Sequence, residues 1–300
     1  MAEADYEKLL SELDGALGMY PEENLELLEE YKALADLAVK GASIEAANAL
    51  LTIAYTINER ISAAEDLAPY YTAAASIFER HNLTEERYGA LEQLAWHLSG
   101  RGEKEKGVKI LEEVYNEQQE SREGASLLLL ESLASLKRDA GDIKGALALR
   151  ERALKMWAEE DVEPGTPSVA IYDASRLETA NLYSLLERHT DAEPLLRAVL
   201  EHKRSSFIKL HPEGRWHTDV VGTAIELSRC LFRQARTEEA IKVIVDEMPE
   251  ETDIKPESVF APFARSCFQM ALRDLTNGRE PSQECDPQEQ ISKGFVKDEN

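Results

Sequence analysis

The chain has 300 residues, enough for one large domain or two ordinary ones, and its 43% hydrophobic content lets a core form. Its 58 acidic against 34 basic residues give a formal charge of −24, which excludes the counterion-releasing basic surface that duplex nucleic acid or an anionic membrane needs. Aromatics make up only 7% while Leu, Ala and Glu abound, a balance that favours helices because these residues lose little side-chain freedom there.

The apolar residues recur with helical period along nearly the whole chain, and no strand pattern is found. The periodicity predicts helices at 3–17, 22–39, 43–60, 64–80, 84–99, 103–119, 124–139, 142–158, 168–187, 190–208, 217–234, 237–247 and 256–276. Connections such as Gly100-Arg101-Gly102, Ala140-Gly141 and 187–190 are short, which forces neighbouring helices to pack antiparallel. Glu163 to Pro167 and Pro249 to Pro256 are harder breaks, since a proline lacks the N–H and restricts the residue before it. Pro69 and Pro194 fall in the first turn expected for a second helix, where a missing N–H costs little. From Asn277 onward the chain is rich in Pro, Gln and acidic residues and is expected to be disordered.

Four hairpins share one frame. Small residues pair at 95 and 107, 134 and 146, 180 and 192, 228 and 240, a spacing of 12 each time. Two helices cross closely only where both present small side chains, and the turn between them wants Gly or a residue that tolerates a tight bend. A weaker fifth copy is read at Ala54-Tyr55 and Leu67, and residues 1–40 are helical without a place in the frame.

The stretch Ala180-Asn181-Leu182-Tyr183 followed by Asp191-Ala192-Glu193-Pro194-Leu195-Leu196 resembles a tetratricopeptide repeat (TPR). So does His217-Thr218-Asp219-Val220-Val221 leading to Gln234-Ala235-Arg236-Thr237-Glu238-Glu239-Ala240. Copy-to-copy steps of 39, 46 and 48 residues (107 to 146, 146 to 192, 192 to 240) are similar to the longer repeats of the kinesin light chain type. Lys137, Arg150 and Glu247 depart from that pattern, which prefers apolar or small residues there. The resemblance implies an all-α, right-handed α-solenoid of about six antiparallel hairpins with a C-terminal capping helix. Its expected parts are an N-terminal helical cap over 1–42, the solenoid over 43–248, a linker and capping helix over 249–276, and a tail over 277–300.

In that family the first helix of each hairpin lines a concave groove. The residue after the small one lies about 100° round the helix, with those three and four further on sharing its face. The face so defined contains Thr56, Glu59, Arg60, Trp96, Ser99, Ser135, Arg138, Asp139, Asn181, Ser184, Leu185, Arg229, Phe232 and Arg233. Three arginines on one face of a chain of charge −24, with Asn181 among them, point to capture of an extended acidic peptide or acidic chain end, Trp96 and Phe232 serving as aromatic anchors. The plainer reading has the arginines solvated or paired with nearby Glu and the aromatics in the core. The expected partner-binding set is Trp96, Arg138, Asn181, Ser184, Arg229, Phe232 and Arg233.

No catalytic, cofactor or metal site is expected. The six histidines have no metal-binding i, i+4 pair, and Cys230, Cys267 and Cys285 are odd in number without metal-ligand spacing. The cysteines suit a reducing compartment, MAEADYEKLL has no signal-peptide pattern, and no stretch approaches a membrane span, so a cytoplasmic adaptor is expected. The alternatives are an assembly factor or regulatory subunit working through another face, and an enzyme with an unrecognised site. The latter would show a deep pocket with convergent polar groups.

Overall fold

The computed structural model of the chain describes residues 5–18, 23–120, 124–159, 167–210, 217–250 and 261–283. Among these are thirteen α-helices and no strand: α1 Tyr6–Asp14, α2 Leu28–Lys40, α3 Ile44–Thr56, α4 Ala68–Arg80, α5 Thr84–Gly100, α6 Lys104–Glu120, α7 Leu127–Asp139, α8 Ile143–Glu159, α9 Pro167–Leu185, α10 His189–Leu210, α11 Thr218–Arg233, α12 Thr237–Glu247 and α13 Ala261–Thr276. Each expected helix is present, with ends moved by a few residues. Helix starts follow the capping chemistry: Ser43 and Ser126 each accept a hydrogen bond from the N–H three residues on, at 3.3 Å. α10 begins one residue earlier than expected, so Pro194 sits in its second turn and removes a bond to the carbonyl of Thr190. The breaks read over 163–167 and 249–256 lie mostly outside the described residues, as does the tail beyond Gln283 and with it Cys285.

The chain forms two compact units, 1–142 and 143–300. In the first, helices α1 to α6 pack on their neighbours around Tyr31, Leu50, Ile53, Ile77 and Phe78, all essentially inaccessible. The buried Asn24 ties the N-terminal hairpin to α3: it accepts from Gly18 N at 2.6 Å and donates to the Arg60 carbonyl at 2.7 Å. In the second, α9 to α13 enclose Ile225, Leu231, Cys267, Phe268 and Leu275, with α13 packed against both α11 and α12.

The 12-residue frame has a mechanical origin. The residue seven after the first small one has positive φ in all four copies: Gly102, Gly141, Glu187 and Ala235, with φ of 85°, 89°, 59° and 60°. Each is the left-handed residue of a Schellman turn. Its N–H bonds the carbonyl three back, and the next N–H bonds the carbonyl five back: Glu103 to Leu98 at 2.9 Å, Asp142 to Lys137 at 2.8 Å, Arg188 to Tyr183 at 2.8 Å and Arg236 to Leu231 at 3.0 Å. Five residues later comes the second small side chain. At Gly107 an added Cβ would lie 2.5 Å from the Ala95 carbonyl oxygen, so here the two helices touch backbone to backbone.

The first copy is built differently. α3 ends in a π-helical turn, Ile57–Ile61, and a longer loop precedes α4. In the four strict copies the first small residue lies five before the end of its helix, and its mate is fourth in the next. Counted to the end of the π turn, that rule selects Thr56 and Tyr71 here, 15 apart, against the Ala54-Tyr55 and Leu67 expected from sequence. The three departures from the apolar pattern are accommodated as follows. Lys137 pairs with Glu112 of α6 and with Asp142, Glu247 of α12 pairs with Arg204 of α10, and Arg150 is buried near Glu178 of α9.

Candidate functional site

The second unit brings together four of the seven expected binding residues. Asn181 and Ser184 project from α9 and Arg229 and Arg233 from α11, around an open groove of about 530 Å³. Position follows from the frame: Asn181 and Arg229 each come one residue after the small residue at the helix crossing, which turns them away from the second helix.

One wall of the groove is the chain's own C-terminal segment. Residues 279–283 leave α13 after Gly278, which has φ 67°, and cross α11. Arg233 grips the Glu280 carboxylate with two nitrogens, Nε to Oε2 at 3.1 Å and Nη2 to Oε1 at 2.7 Å. That carboxylate holds the Arg233 guanidinium even more firmly protonated than usual. Arg229, only 7% exposed, donates Nε to the Pro281 carbonyl at 2.8 Å, Nη2 to the Ser282 carbonyl and Nη1 to Glu226. Asp274 of α13 steers the segment by accepting from Arg279 at 3.0 Å and from Ser282 N at 3.2 Å. Thus Arg233 reads a side-chain carboxylate, while Arg229 reads two successive main-chain carbonyls. Sequence reasoning placed both arginines but missed Glu280, Pro281 and Ser282, whose composition carries no helical period.

The other expected residues lie elsewhere. Phe232, partly buried, packs on the core of the second unit and does not line the groove. Trp96 and Arg138 belong to the first unit. Trp96, 37% exposed, lines a separate concavity with Asn58, Glu59, His97 and Arg101. Arg138 contacts Asp139 at 3.0 Å. Beside Trp96, the buried His97 accepts the Leu67 N–H on Nε2 at 3.1 Å, and burial pushes its pKa down.

The second unit also has an apolar cavity of about 410 Å³ lined by Val169, Leu177 and Phe207, with a polar chain in its wall. Asp173 bonds His202 Nδ1, and His202 Nε2 lies 3.2 Å from Ser206 Oγ. This is the connectivity of an acyl-transfer triad. Ser206, however, sits in the body of α10, whose N–H groups are spent on the helix. The backbone beside it therefore offers no oxyanion stabilisation, on which acyl-transfer catalysis chiefly depends. Asp173 also pairs with Arg176 at 3.1 Å, and Arg176 lies 3.7 Å over the Tyr172 ring, so the chain braces α9 against α10. Among the described residues no group of His, Cys, Asp and Glu could hold a metal ion, and no helix is long and apolar enough to cross a membrane.

No protein-family model matches the chain, and no curated protein matches it. Solved structures do. One is of a Podosopora anserina protein assigned as a kinesin light chain with nearly identical TPR-like repeats: 21% identity, TM-score 0.50, covering 69% of this chain and 92% of that one. A point variant of the same protein matches at 19% identity and TM-score 0.51, covering 70% and 97%. BtubC (BKLC) from P. vanneervenii matches at 16% identity and TM-score 0.43, covering 89% and 92%. With its antiparallel hairpins and Schellman turns, the chain has the α-solenoid fold of the TPR-like repeat proteins.

Proposed function

We propose that this protein is an interaction scaffold whose second unit binds an extended acidic segment of a protein partner in the groove between α9 and α11. TPR-like folds commonly mediate protein–protein interaction, which is analogy of fold. The observation that carries the reading is local: in a chain of charge −24, Arg229 and Arg233 converge with Asn181 and Ser184 on one open groove and hold a carboxylate and two peptide carbonyls there. Guanidinium forks suit this task, because two parallel donors fix both the position and the plane of a carboxylate. Asn181, exposed on the same wall, can donate to and accept from a peptide backbone.

We place the protein in the cytoplasm, a reading supported by the buried Cys230, whose thiol donates to the His189 carbonyl and forms no disulfide. Its action as an adaptor is tested with an array of short immobilised peptides. The full chain is expected to retain peptides rich in Asp and Glu, and Arg233→Glu is expected to lose them while its circular dichroism stays unchanged. Arg233 is chosen because it is the more exposed of the pair, whereas a carboxylate at Arg229 would be buried beside Glu226. Equal retention by both proteins refutes the groove as the binding surface.

A further inference from the structure

Building on the groove reading above, we propose that Glu280-Pro281-Ser282 is a built-in occupant of the groove and a template of its ligand. The partner segment it fits is an extended peptide with an acidic residue followed by proline. The contacts divide the requirement. Arg233 closes on the first side chain with two hydrogen bonds, so a carboxylate is required there. Arg229 takes the next two carbonyls, which needs a locally extended backbone, and proline pre-sets that shape while removing an N–H the groove does not use. Pro281 is itself buried against the unit. Apart from the carboxylate, what Arg229 and Arg233 hold is main chain, so a peptide from another protein can reproduce it.

The occupant is held by these polar contacts and by the buried Pro281, at the end of a short tether from α13. A partner can therefore engage Arg229 and Arg233 only by displacing it from them, and free ligand competes with a resident segment.

The test uses the full chain. Glu280→Arg unseats the occupant by placing a guanidinium against Arg233. The probe is a fluorescein-labelled peptide of residues 277–284 followed by anisotropy. The Glu280→Arg chain is expected to bind it at least tenfold more tightly than wild type. Adding Arg233→Glu to that chain puts opposite charges at 233 and 280 again, so the occupant reseats and binding of the natural peptide should be abolished. Equal binding by wild type and Glu280→Arg, or binding indifferent to the charge swap, overturns the proposal. A second measurement needs no variant: trypsin cleavage after Arg279 in the wild-type chain should accelerate at least tenfold when excess unlabelled 277–284 peptide carrying Arg279→Gln, itself uncleavable at that site, is added. An unchanged rate also overturns it. If arrayed acidic peptides bind through Arg233 while both tests fail, the groove reading stands and the occupant proposal falls. If nothing acidic binds either chain, both fall.

Discussion

Gly107→Ala puts a methyl group where α5 and α6 touch. The new Cβ would lie 2.5 Å from the Ala95 carbonyl oxygen, 0.5 Å inside the 3.0 Å that real contacts respect (3.0 − 2.5), and the obstacle is backbone, which has no rotamer to change. The hairpin must open along its length, and overpacking of this kind costs about 1–3 kcal/mol. Ala in place of Gly inside a helix returns about 1 kcal/mol. Taking the upper half of the overpacking range, because the neighbour cannot yield, leaves a net loss of about 1–2 kcal/mol. For a chain of this size that lowers the melting temperature by about 2–3 °C. Gly89→Ala is the internal control: it sits in α5 with nothing within 4 Å of its added Cβ, so only the propensity gain acts and melting should rise. Scanning calorimetry of the two variants decides the matter. If Gly107→Ala melts at or above wild type, as Gly89→Ala should, the close crossing at 95 and 107 is wrong.

Ala235→Gly and Glu187→Gly should each stabilise by about 0.5–1 kcal/mol in urea titrations, since both residues hold a left-handed φ that glycine adopts without strain. Asn24→Ala should cost about 2–3 kcal/mol, because it leaves the Gly18 N–H and the Arg60 carbonyl without their bonds, and amide exchange at Gly18 should speed up with it. Burial lowers the pKa of His97, His189 and His217, so the unfolded chain takes up these protons first. Their contribution is full above the unfolded value, near 6.5, and is lost as pH falls through it toward the depressed folded values. Melting curves from roughly pH 8 to roughly pH 5 should show a smaller loss for His97→Gln, which keeps an acceptor for Leu67 N–H without titrating; an unchanged slope would rule out His97 as a contributor.

The hairpins were legible because the 12-residue spacing follows a left-handed turn in all four copies and, at 95 and 107, a crossing too close for a side chain. Gly102 and Gly141 announced that turn; Glu187 did not, since nothing about a glutamate marks positive φ. The weaker copy expected at Ala54-Tyr55 and Leu67 is displaced because a π turn and a longer loop shift the register without changing the apolar pattern. Helix geometry from Ala180 and Ser228 found the groove wall, and Arg229 and Arg233 share it as expected. The same arithmetic carried Phe232 onto that wall, where packing on the core of the second unit claims it instead. Glu280 to Ser282 were beyond reach for a different reason: a segment held by its carboxylate and its carbonyls needs no hydrophobic periodicity, so it reads as featureless.

Lys137 with Glu112 joins α7 to α6, Arg236 with Glu193 joins the turn before α12 to α10, and Arg204 with Glu247 joins α10 to α12. Each pair bridges one hairpin to the next, and Glu247 is almost fully buried. Greasy contacts between look-alike hairpins would tolerate a slipped or exchanged neighbour, the characteristic failure of repeat chains. A charge sealed at the seam does not, because a wrong neighbour strands it at a penalty of several kcal/mol. Only the Arg204–Glu247 seam meets that condition: it works as a key in a lock between α10 and α12, whereas the more open Lys137–Glu112 and Arg236–Glu193 pairs exert little of this selection.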